Sequence, residues 1–197
     1  MSSYEKPDYW AQKAKKEGYP ARSVYKLMEI DRKFGLLKQG SRVLDIGAAP
    51  GSWSLWVLKR LAGAGFLAAV DLQDLAMKPP YPNFLFVQGD LYDPAVRERL
   101  LAAGPFGLVL SDAAPSTTGN RLVDQGASEA IVEAVIDYAE AALAPGGSMV
   151  AKIFQGGAEA ALLKRLRGRF AQAKGFKPEA CRSESFETYL VAAGFKG

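Results

Sequence analysis

Three aspartates, Asp71, Asp90 and Asp112, each follow a short apolar segment that is typical of a β-strand. The segments span residues 65–70, 83–88 and 108–111. The carboxyl ends of neighbouring parallel strands form the edge at which α/β sheets bind their ligands, so we expect the three carboxylates to face one site. There the first would bind the two hydroxyls of a ribose. The second would accept a hydrogen bond from an adenine amino group, and the third would lie beside a positively charged reactive centre.

A turn with the sequence Gly-Ala-Ala-Pro-Gly follows the first predicted strand, 42–46, and precedes a predicted helix at 52–61. Such a turn lets a ligand approach the backbone. The dinucleotide fingerprint requires glycine where Ala49 stands, and the Gly-Lys-Ser/Thr of a phosphate-binding loop is missing. A ligand with an adenine, a ribose and a positive charge but no phosphate fits this pattern, and S-adenosylmethionine is such a ligand. The predicted cofactor-binding residues are Gly47, Ala48, Pro50, Gly51, Trp53, Asp71, Asp90 and Asp112.

The sequence around two lysines and one tryptophan bears on whether their roles are functional or structural. Lys152 lies within an apolar segment, 149–154, where an unpaired charge would be costly. Lys26 shares a helical face with Arg22, Glu29 and Lys33, which alone indicates a solvated lysine. Trp53 could contact the cofactor or fill the core.

The elements that would position these residues alternate between strand and helix from about residue 40. This order predicts an α/β domain with a mostly parallel sheet. Further strands are predicted at 148–154, 177–182 and 188–193, helices at 21–34, 94–102 and 157–172, a loop at 113–126, and a helix from there to about 143. The whole chain, 1–197, is predicted to form one domain, with 1–40 as a basic helical appendage and 41–197 as the core.

Composition limits the chemistry further. The 197 residues contain no histidine and one cysteine, Cys181, so histidine acid–base catalysis is excluded and no metal site is expected. A lone cysteine, with no apolar leader or membrane span, is consistent with the cytoplasm. The net charge is +4. Basic residues cluster at both ends: Lys6, Lys13, Lys15, Lys16, Arg22, Lys26, Arg32, Lys33 and Lys38, and then Lys164, Arg165, Arg167, Arg169, Lys174 and Lys177. These clusters suit a polyanion, or are solvated helix faces.

Five ordered motifs resemble those of the FtsJ-like (RrmJ-type) ribosomal RNA 2′-O-methyltransferases. They are the segments ARSVYKL at 21–27, DIGAAPGSWS at 45–54, SDAAP at 111–115, VAKIF at 150–154 and SFETY at 185–189. The resemblance extends from about residue 8 to 194, with Ser52 where a second glycine is common. It implies a Rossmann-like class I methyltransferase fold: a mostly parallel seven-stranded sheet with an antiparallel last strand and helices on both faces.

The resemblance also implies a catalytic tetrad of Lys26, Asp112, Lys152 and Glu187. Lys152 would act as general base or would steer a lone pair of the ribose hydroxyl, and Asp112 would orient Lys152. Lys26 and Glu187 would complete the network. The implied reaction is 2′-O-methylation of a ribose, expected to be that of a uridine, in large-subunit ribosomal RNA by a monomeric enzyme. A transfer RNA is the alternative substrate.

Other functions fit these motifs less well. A cytosine-C5 methyltransferase needs a cysteine nucleophile near Pro115, and Cys181 is distant in sequence. An exocyclic-amine methyltransferase would show Asn/Asp-Pro-Pro-aromatic where Asp112-Ala113-Ala114-Pro115 stands. A small-molecule methyltransferase would usually lack basic flanks. A non-catalytic role in ribosome assembly remains the alternative from another class.

Overall fold

The computed structural model describes residues 9–182 and 185–197. Within these residues seven strands and six helices form. The strands are β1 (Arg42–Ile46), β2 (Phe66–Asp71), β3 (Phe84–Gln88), β4 (Phe106–Ser111), β5 (Leu143–Phe154), β6 (Phe170–Phe176) and β7 (Glu187–Phe195). The helices are α1 (Tyr9–Lys16), α2 (Val24–Phe34), α3 (Ser52–Leu61), α4 (Pro94–Ala102), α5 (Arg121–Ala142) and α6 (Glu159–Arg169).

All seven strands belong to one sheet in the order β3-β2-β1-β4-β5-β7-β6. The pairs from β3 to β5 are parallel, whereas β7 is antiparallel to both of its neighbours. The predicted fold class, a mostly parallel seven-stranded sheet whose last strand is antiparallel, is therefore confirmed. The strand order reverses between β1 and β4, because β2 and β3 lie on one side of β1 and β4 lies on the other. This switch point lies at the centre of the sheet, where such folds form ligand crevices.

Two hydrophobic clusters cover the two faces of the sheet. One contains residues of α4, α5 and α6, such as Leu100, Val132 and Leu166. The other contains residues of α1, α2 and α3, such as Ala14 and Ile30. Strands β1 and β2 are buried on both sides, which explains their continuous apolar sequences. The basic N-terminal segment therefore contributes α1 and α2 to one helical layer of the sheet.

Helix α5 begins earlier than the sequence indicated. The side chain of Asn120 accepts hydrogen bonds from the amides of Leu122 and Val123, so Asn120 is the N-cap and the helix begins at Arg121. The loop predicted at 113–126 is correspondingly shorter. The sequence alone predicts a loop as far as Gly126 because this stretch is polar and small, whereas the helix tolerates the glycine in its interior.

The prediction for the chain after β5 was partly wrong. Residues 177–182 do not form a strand, and β6 lies earlier, at Phe170–Phe176, where the sequence suggested the end of a helix. Its alanines, Gln172 and Gly175 have low β-propensity, but pairing with β7 along its full length overrides that preference. The predicted N-terminal helix 21–34 also begins three residues later, and α1 precedes it.

Lys6, counted in the N-terminal basic cluster, lies outside the described residues. None of the described helices combines the length and the apolar character needed to cross a bilayer.

Candidate active site

A cavity of about 440 Å³ opens at the carboxyl ends of β1 to β4. It is lined by Gly47, Ala49, Val70, Asp71, Leu72, Gln73, Gly89, Asp90, Leu91, Tyr92, Asp112, Ala113, Ala114, Pro115, Ser116 and Ile131. Three carboxylates and no lysine or arginine are among these lining residues. The cavity is therefore suited to a cationic ligand and unsuited to a phosphate, which would need positive partners.

The turn after β1 approaches the β4 loop closely at Gly47. This residue has a φ of 76°, and a Cβ placed on it would lie 2.4 Å from the Cβ of Ala113. Only glycine fits such a position without a backbone shift. Gly47 thus brings the first turn and the β4 loop together as adjoining walls of the cavity.

Asp71 and Asp90 shape the cavity rim through backbone hydrogen bonds. The two oxygens of Asp71 accept from the amides of Ala49 and Gln73, each at 2.9 Å. Asp71 thereby ties the turn after β1 to the turn after β2. Asp90 Oδ1 accepts from the amide of Tyr92 at 2.9 Å. Both carboxylates are held in place by the loops that they organise.

The predicted cofactor-binding residues divide into two groups. Gly47, Asp71, Asp90 and Asp112 line the cavity, whereas Ala48, Pro50, Gly51 and Trp53 do not. Ala48 and Trp53 are buried, and Gly51 precedes the first residue of α3. These four residues shape the turn from behind.

Trp53 is buried between helix and sheet and is only 2% exposed. Its indole nitrogen donates a 2.9 Å hydrogen bond to the carbonyl oxygen of Ser23, just before α2. Its ring lies 5.9 Å from that of Tyr189. The structure therefore favours the core alternative for Trp53, which links α2 to the site from behind.

Sequence reasoning missed several residues that line the cavity. They include Ala49, Leu72, Gln73 and Tyr92, as well as the stretch 113–116. Most of them directly follow a predicted acid or lie two residues beyond it. The signal that could have found them is the strand end itself, because residues that follow a parallel strand form the same rim as the acid.

Lys152 and Asp112 form an ion pair on one side of the cavity. The Lys152 Nζ lies 3.1 Å from Asp112 Oδ1, and the two side chains are 11% and 16% exposed. Lys152 projects from β5, and Asp112 directly follows β4, its parallel neighbour. The pairing compensates the lysine charge inside this apolar strand, as the sequence required.

Lys26 and Glu187 form a second pair nearby. The Lys26 Nζ lies 2.5 Å from Glu187 Oε1, and the side chains are 11% and 12% exposed. Glu187 begins β7 and stands opposite Phe154, two residues beyond Lys152. Side chains two residues apart on a strand share a face, so the sheet brings all four predicted catalytic residues to one edge.

The charge state of Glu187 follows from its surroundings. Burial would raise its pKa, but the hydrogen bond and the charge of Lys26 outweigh burial, so the pKa is lowered from its ordinary value. Glu187 is therefore ionised at neutral pH, as an ion pair requires.

Helix α2 docks on the segment before β7 through the face that contains Lys26. The carboxylate of Glu29 accepts hydrogen bonds from the amides of Glu179 and Ala180, at 2.7 and 3.0 Å. The Arg22 guanidinium donates to the carbonyl oxygen of Ala180 at 2.5 Å. The alternative that Lys26 is a solvated lysine is therefore wrong, because its helical face is packed against the chain.

Cys181 lies in this docking segment and is 9% exposed. Burial, together with the nearby carboxylate of Glu187, raises the pKa of its thiol to about 12. A thiol with such a pKa remains protonated and is a poor nucleophile. Cys181 is therefore unsuited to act as a nucleophile, and it does not lie on a strand, although the sequence predicted one at 177–182.

Asp45, the second-last residue of β1, is fully buried. Ser54 Oγ donates a 2.6 Å hydrogen bond to its Oδ2, while its Oδ1 has no hydrogen-bond partner among the described residues. Burial raises the pKa of Asp45 to about 7, although the Ser54 hydrogen bond acts in the other direction. A partly protonated carboxyl group thus lies directly beneath the first turn.

Comparisons with known proteins identify the family of this chain. The model of the FtsJ-like methyltransferase family matches residues 19–195. A ribosomal RNA large subunit methyltransferase E from Treponema denticola is 49% identical over 196 residues, which cover 100% of this chain and 98% of the relative. The protein of the same name from Oleidesulfovibrio alaskensis is 46% identical over 192 residues, covering 96% and 92% of the two chains.

Solved structures match as well. A crystal structure described as a ribosomal RNA methyltransferase from Plasmodium falciparum has a TM-score of 0.79 and 28% identity, and the match covers 91% of this chain and 100% of that one. The MycE methyltransferase of mycinamycin biosynthesis, with a TM-score of 0.56 and 19% identity over 96% of this chain and 49% of MycE, shares the fold alone. The family model and the full-length relatives together show that this chain belongs to the FtsJ-like methyltransferase family.

Proposed function

We propose that this protein transfers a methyl group from S-adenosylmethionine to the 2′-hydroxyl of a ribose, expected to be that of a uridine, in large-subunit ribosomal RNA. The observation that carries the proposal is the position of Asp112. It lines the cavity that we assign to the cofactor, and it also pairs with Lys152. A single carboxylate therefore connects the cofactor cavity to the residue proposed to engage the substrate hydroxyl.

The residues of the cavity fit the proposed cofactor. Asp71, at the end of β2, would bind the ribose hydroxyls. Asp90, at the end of β3, would accept a hydrogen bond from the adenine amino group, and Asp112 would lie beside the sulfonium. When bound, this cofactor supplies an electrophilic methyl group on a positively charged sulfur. The exclusively acidic charged lining supports a cationic ligand of this kind.

The protein's own residues would activate and orient the ribose hydroxyl. A hydroxyl is a weak nucleophile, and its reaction requires alignment and removal of its proton. Lys152 would accept that proton as a neutral amine, or as an ammonium would orient an oxygen lone pair, and its contact with Asp112 would hold it in position. Lys26 and Glu187 would hold the ribose from the other side, because their pair lies on the same edge of the sheet.

The distribution of positive charge supports an RNA substrate bound along the N-terminal helices. Helix α2 contributes Lys26 to the site, and α1 has three lysines in its last turn. The C-terminal cluster is less suited to this role. Arg165 pairs with Asp137 and Glu140, and Arg169 lies at the opposite end of the sheet from Glu187.

The curated relatives are named for the large ribosomal subunit, and the chain covers almost their full length. We propose that this chain acts on the same class of RNA, as a monomer in the cytoplasm. The small RNA-binding surface suggests recognition of RNA shape, one presented only by an assembled subunit. Equal methylation of naked RNA and of subunits would count against that last part.

The decisive experiment uses tritiated S-adenosylmethionine with the wild-type protein, with Lys152→Ala, and with Lys174→Ala as a matched control. Lys174 is an exposed lysine on β6. Each protein is incubated with large-subunit RNA, ribosomal subunits or transfer RNA, and the digested nucleosides are separated. A 2′-O-methylated nucleoside from large-subunit material, absent only with Lys152→Ala, is the expected result.

Other outcomes are equally informative. Label in transfer RNA alone would keep the chemistry and replace the substrate. Label on a base would overturn the mechanism. Binding of large-subunit RNA by wild type without any label would favour the non-catalytic assembly role.

A further inference from the structure

An aromatic pair adjoins the predicted catalytic residues on the side away from the cofactor cavity. The rings of Phe154 and Phe186 meet edge to face, with centroids 4.8 Å apart. Both side chains are half-buried, so part of each ring remains exposed.

The position of this pair follows from the register of the sheet. Phe154 lies two residues beyond Lys152 on β5, and Phe186 directly precedes Glu187 on β7. Two residues along a strand correspond to about 7 Å. That is comparable to the distance between a ribose hydroxyl and a base of the same strand. A ribose held at Lys152 would therefore place a base within reach of these rings.

A positive charge faces the same ring. The Arg121 guanidinium lies 5.5 Å from the centre of the Phe186 ring. Arg121 is exposed in the first turn of α5 and has no carboxylate partner among residues 9–182 and 185–197. A guanidinium plane stacks on nucleobases as well as on aromatic side chains.

Phe186 also lines a second cavity, of about 340 Å³, next to Lys26 and Glu187. Its other lining residues are Arg22, Arg182 and Ser185. The cavity contains three basic side chains, one carboxylate that Lys26 neutralises, and one aromatic ring, so its excess positive charge and its ring match the phosphate and the base of a nucleotide. This cavity is distinct from the acidic cofactor cavity, which contains none of these residues.

We propose that Phe186 stacks on an unpaired base of the RNA strand, and that this base lies next to the ribose that is methylated. Phe154 supports the Phe186 ring, and Arg121 faces it. This inference rests on the proposed function, because it assigns part of the substrate site. It adds that the RNA must present an unstacked base at this position. A fully paired helix cannot do so without opening.

The test measures binding without methyl transfer. The probe is a single-stranded hexauridylate with 2-aminopurine at one central position, and stacking quenches its fluorescence. The variants are Phe186→Leu, which keeps the apolar volume but removes the aromatic face, and Phe186→Trp, which keeps an aromatic face. The matched control is Phe66→Leu. Phe66 begins β2 at the other end of the sheet and is also faced by an arginine, Arg42, at 4.7 Å.

We expect wild type and Phe66→Leu to quench the probe equally. Phe186→Leu should weaken binding roughly 5- to 100-fold, the range of single stacking contacts, and should lose the quenching, while Phe186→Trp retains it. Affinity for S-adenosylmethionine should be the same in all four proteins, which shows that each is folded. A hexamer without bases should bind wild type as weakly as the probe binds Phe186→Leu.

The stacking proposal is overturned if wild type does not quench the probe or if Phe186→Leu quenches it normally. It is also overturned if the baseless hexamer binds wild type as tightly as the probe does. Failure of the proposed function looks different, because wild type would then bind and quench the probe but methylate no RNA. If wild type methylates RNA but Phe186→Leu quenches the probe normally, the stacking site is rejected and the proposed function is kept.

Discussion

The hydroxyl of Tyr189 donates a 2.7 Å hydrogen bond to Asp112 Oδ1, the same oxygen that pairs with Lys152. Tyr189 stands directly opposite Lys152 in the β5–β7 pairing and is fully buried. Burial, with the nearby charges of Asp112 and Glu187, raises its pKa well above the ordinary value, so the phenol remains a donor. Tyr189 therefore fixes the carboxylate that orients Lys152.

Replacement of Tyr189 by phenylalanine should slow methyl transfer by about tenfold or more, because a hydrogen bond to a charged group contributes about 1.5–3 kcal/mol and about 1.4 kcal/mol in the barrier changes a rate tenfold. The rate is measured in a single turnover with saturating RNA. Tyr25→Phe is the matched control, since its hydroxyl donates to the Glu17 carboxylate, away from the site, at 2.9 Å. If both variants lose the same stability and neither loses rate, Tyr189 has only a structural role.

The sequence predicted the aspartates of the site better than the residues that hold them in position. Asp71, Asp90 and Asp112 were found because each ends a recognisable apolar strand. The role of Tyr189 could not be predicted from the sequence, because it depends on which residue of β7 faces Lys152. Register between strands distant in sequence is set by tertiary packing, as is the formation of β6 from a segment with low β-propensity.

The order of the motifs predicted the fold, but the pairing of Lys26 required the structure. A helical face containing Arg22, Lys26 and Glu29 resembles a solvated surface until the docking segment that covers it is known. The helical periodicity of a sequence indicates which side chains share a face, whereas the burial of that face depends on the rest of the chain.

The lowered pKa of Glu187 predicts a pH-dependent contribution to stability. A carboxylate whose pKa is lower in the folded state stabilises the protein above its unfolded pKa, about 4.5, and loses that effect as the pH falls through the folded value. Glu187→Gln should be less stable than wild type by about 1–3 kcal/mol at pH 7. That difference should shrink below about pH 4.5.

Urea unfolding of both proteins at pH 7 and at about pH 3.5 checks this prediction. Because wild type and Glu187→Gln share all other acidic residues, the contributions of those residues cancel in the stability difference between the two proteins. A difference that stays constant between the two pH values would show that the Lys26 pair does not depend on the Glu187 charge.

Asp45 predicts the opposite dependence. Its pKa is about 7 in the folded protein against an ordinary 3.8, so the folded state keeps a proton that the unfolded chain has released. Stability should therefore fall as the pH rises from about 4 to 7 and change no further above that, by an amount on the order of 4 kcal/mol.

The variant Asp45→Asn isolates this effect. Asparagine keeps the acceptor for Ser54 but cannot ionise. Relative to wild type, the variant should gain stability between pH 5 and pH 8, as measured by urea unfolding at each pH. Parallel curves for the two proteins across this range would refute the assignment of a raised pKa to Asp45.

Gly47 approaches Ala113 too closely for a larger residue to replace it without a backbone shift. Gly47→Ala would place a Cβ 2.4 Å from the Ala113 Cβ and 2.7 Å from its Cα, at a φ of 76° that L-residues rarely adopt. Because both residues line the cofactor cavity, relief of the clash must move one wall of that cavity. We expect a loss of about 1–3 kcal/mol of stability and weaker binding of S-adenosylmethionine in titration calorimetry.

Gly126→Ala provides the matched control, because it adds the same methyl group elsewhere. Gly126 lies inside α5 and has no heavy atom within 4 Å of the added Cβ. This variant should gain about 0.5–1 kcal/mol, since glycine is the weaker helix former, and should bind the cofactor normally. If Gly47→Ala binds S-adenosylmethionine as tightly as Gly126→Ala does, the wall between β1 and β4 is not part of the cofactor site, and the assignment of the acidic cavity would have to be abandoned.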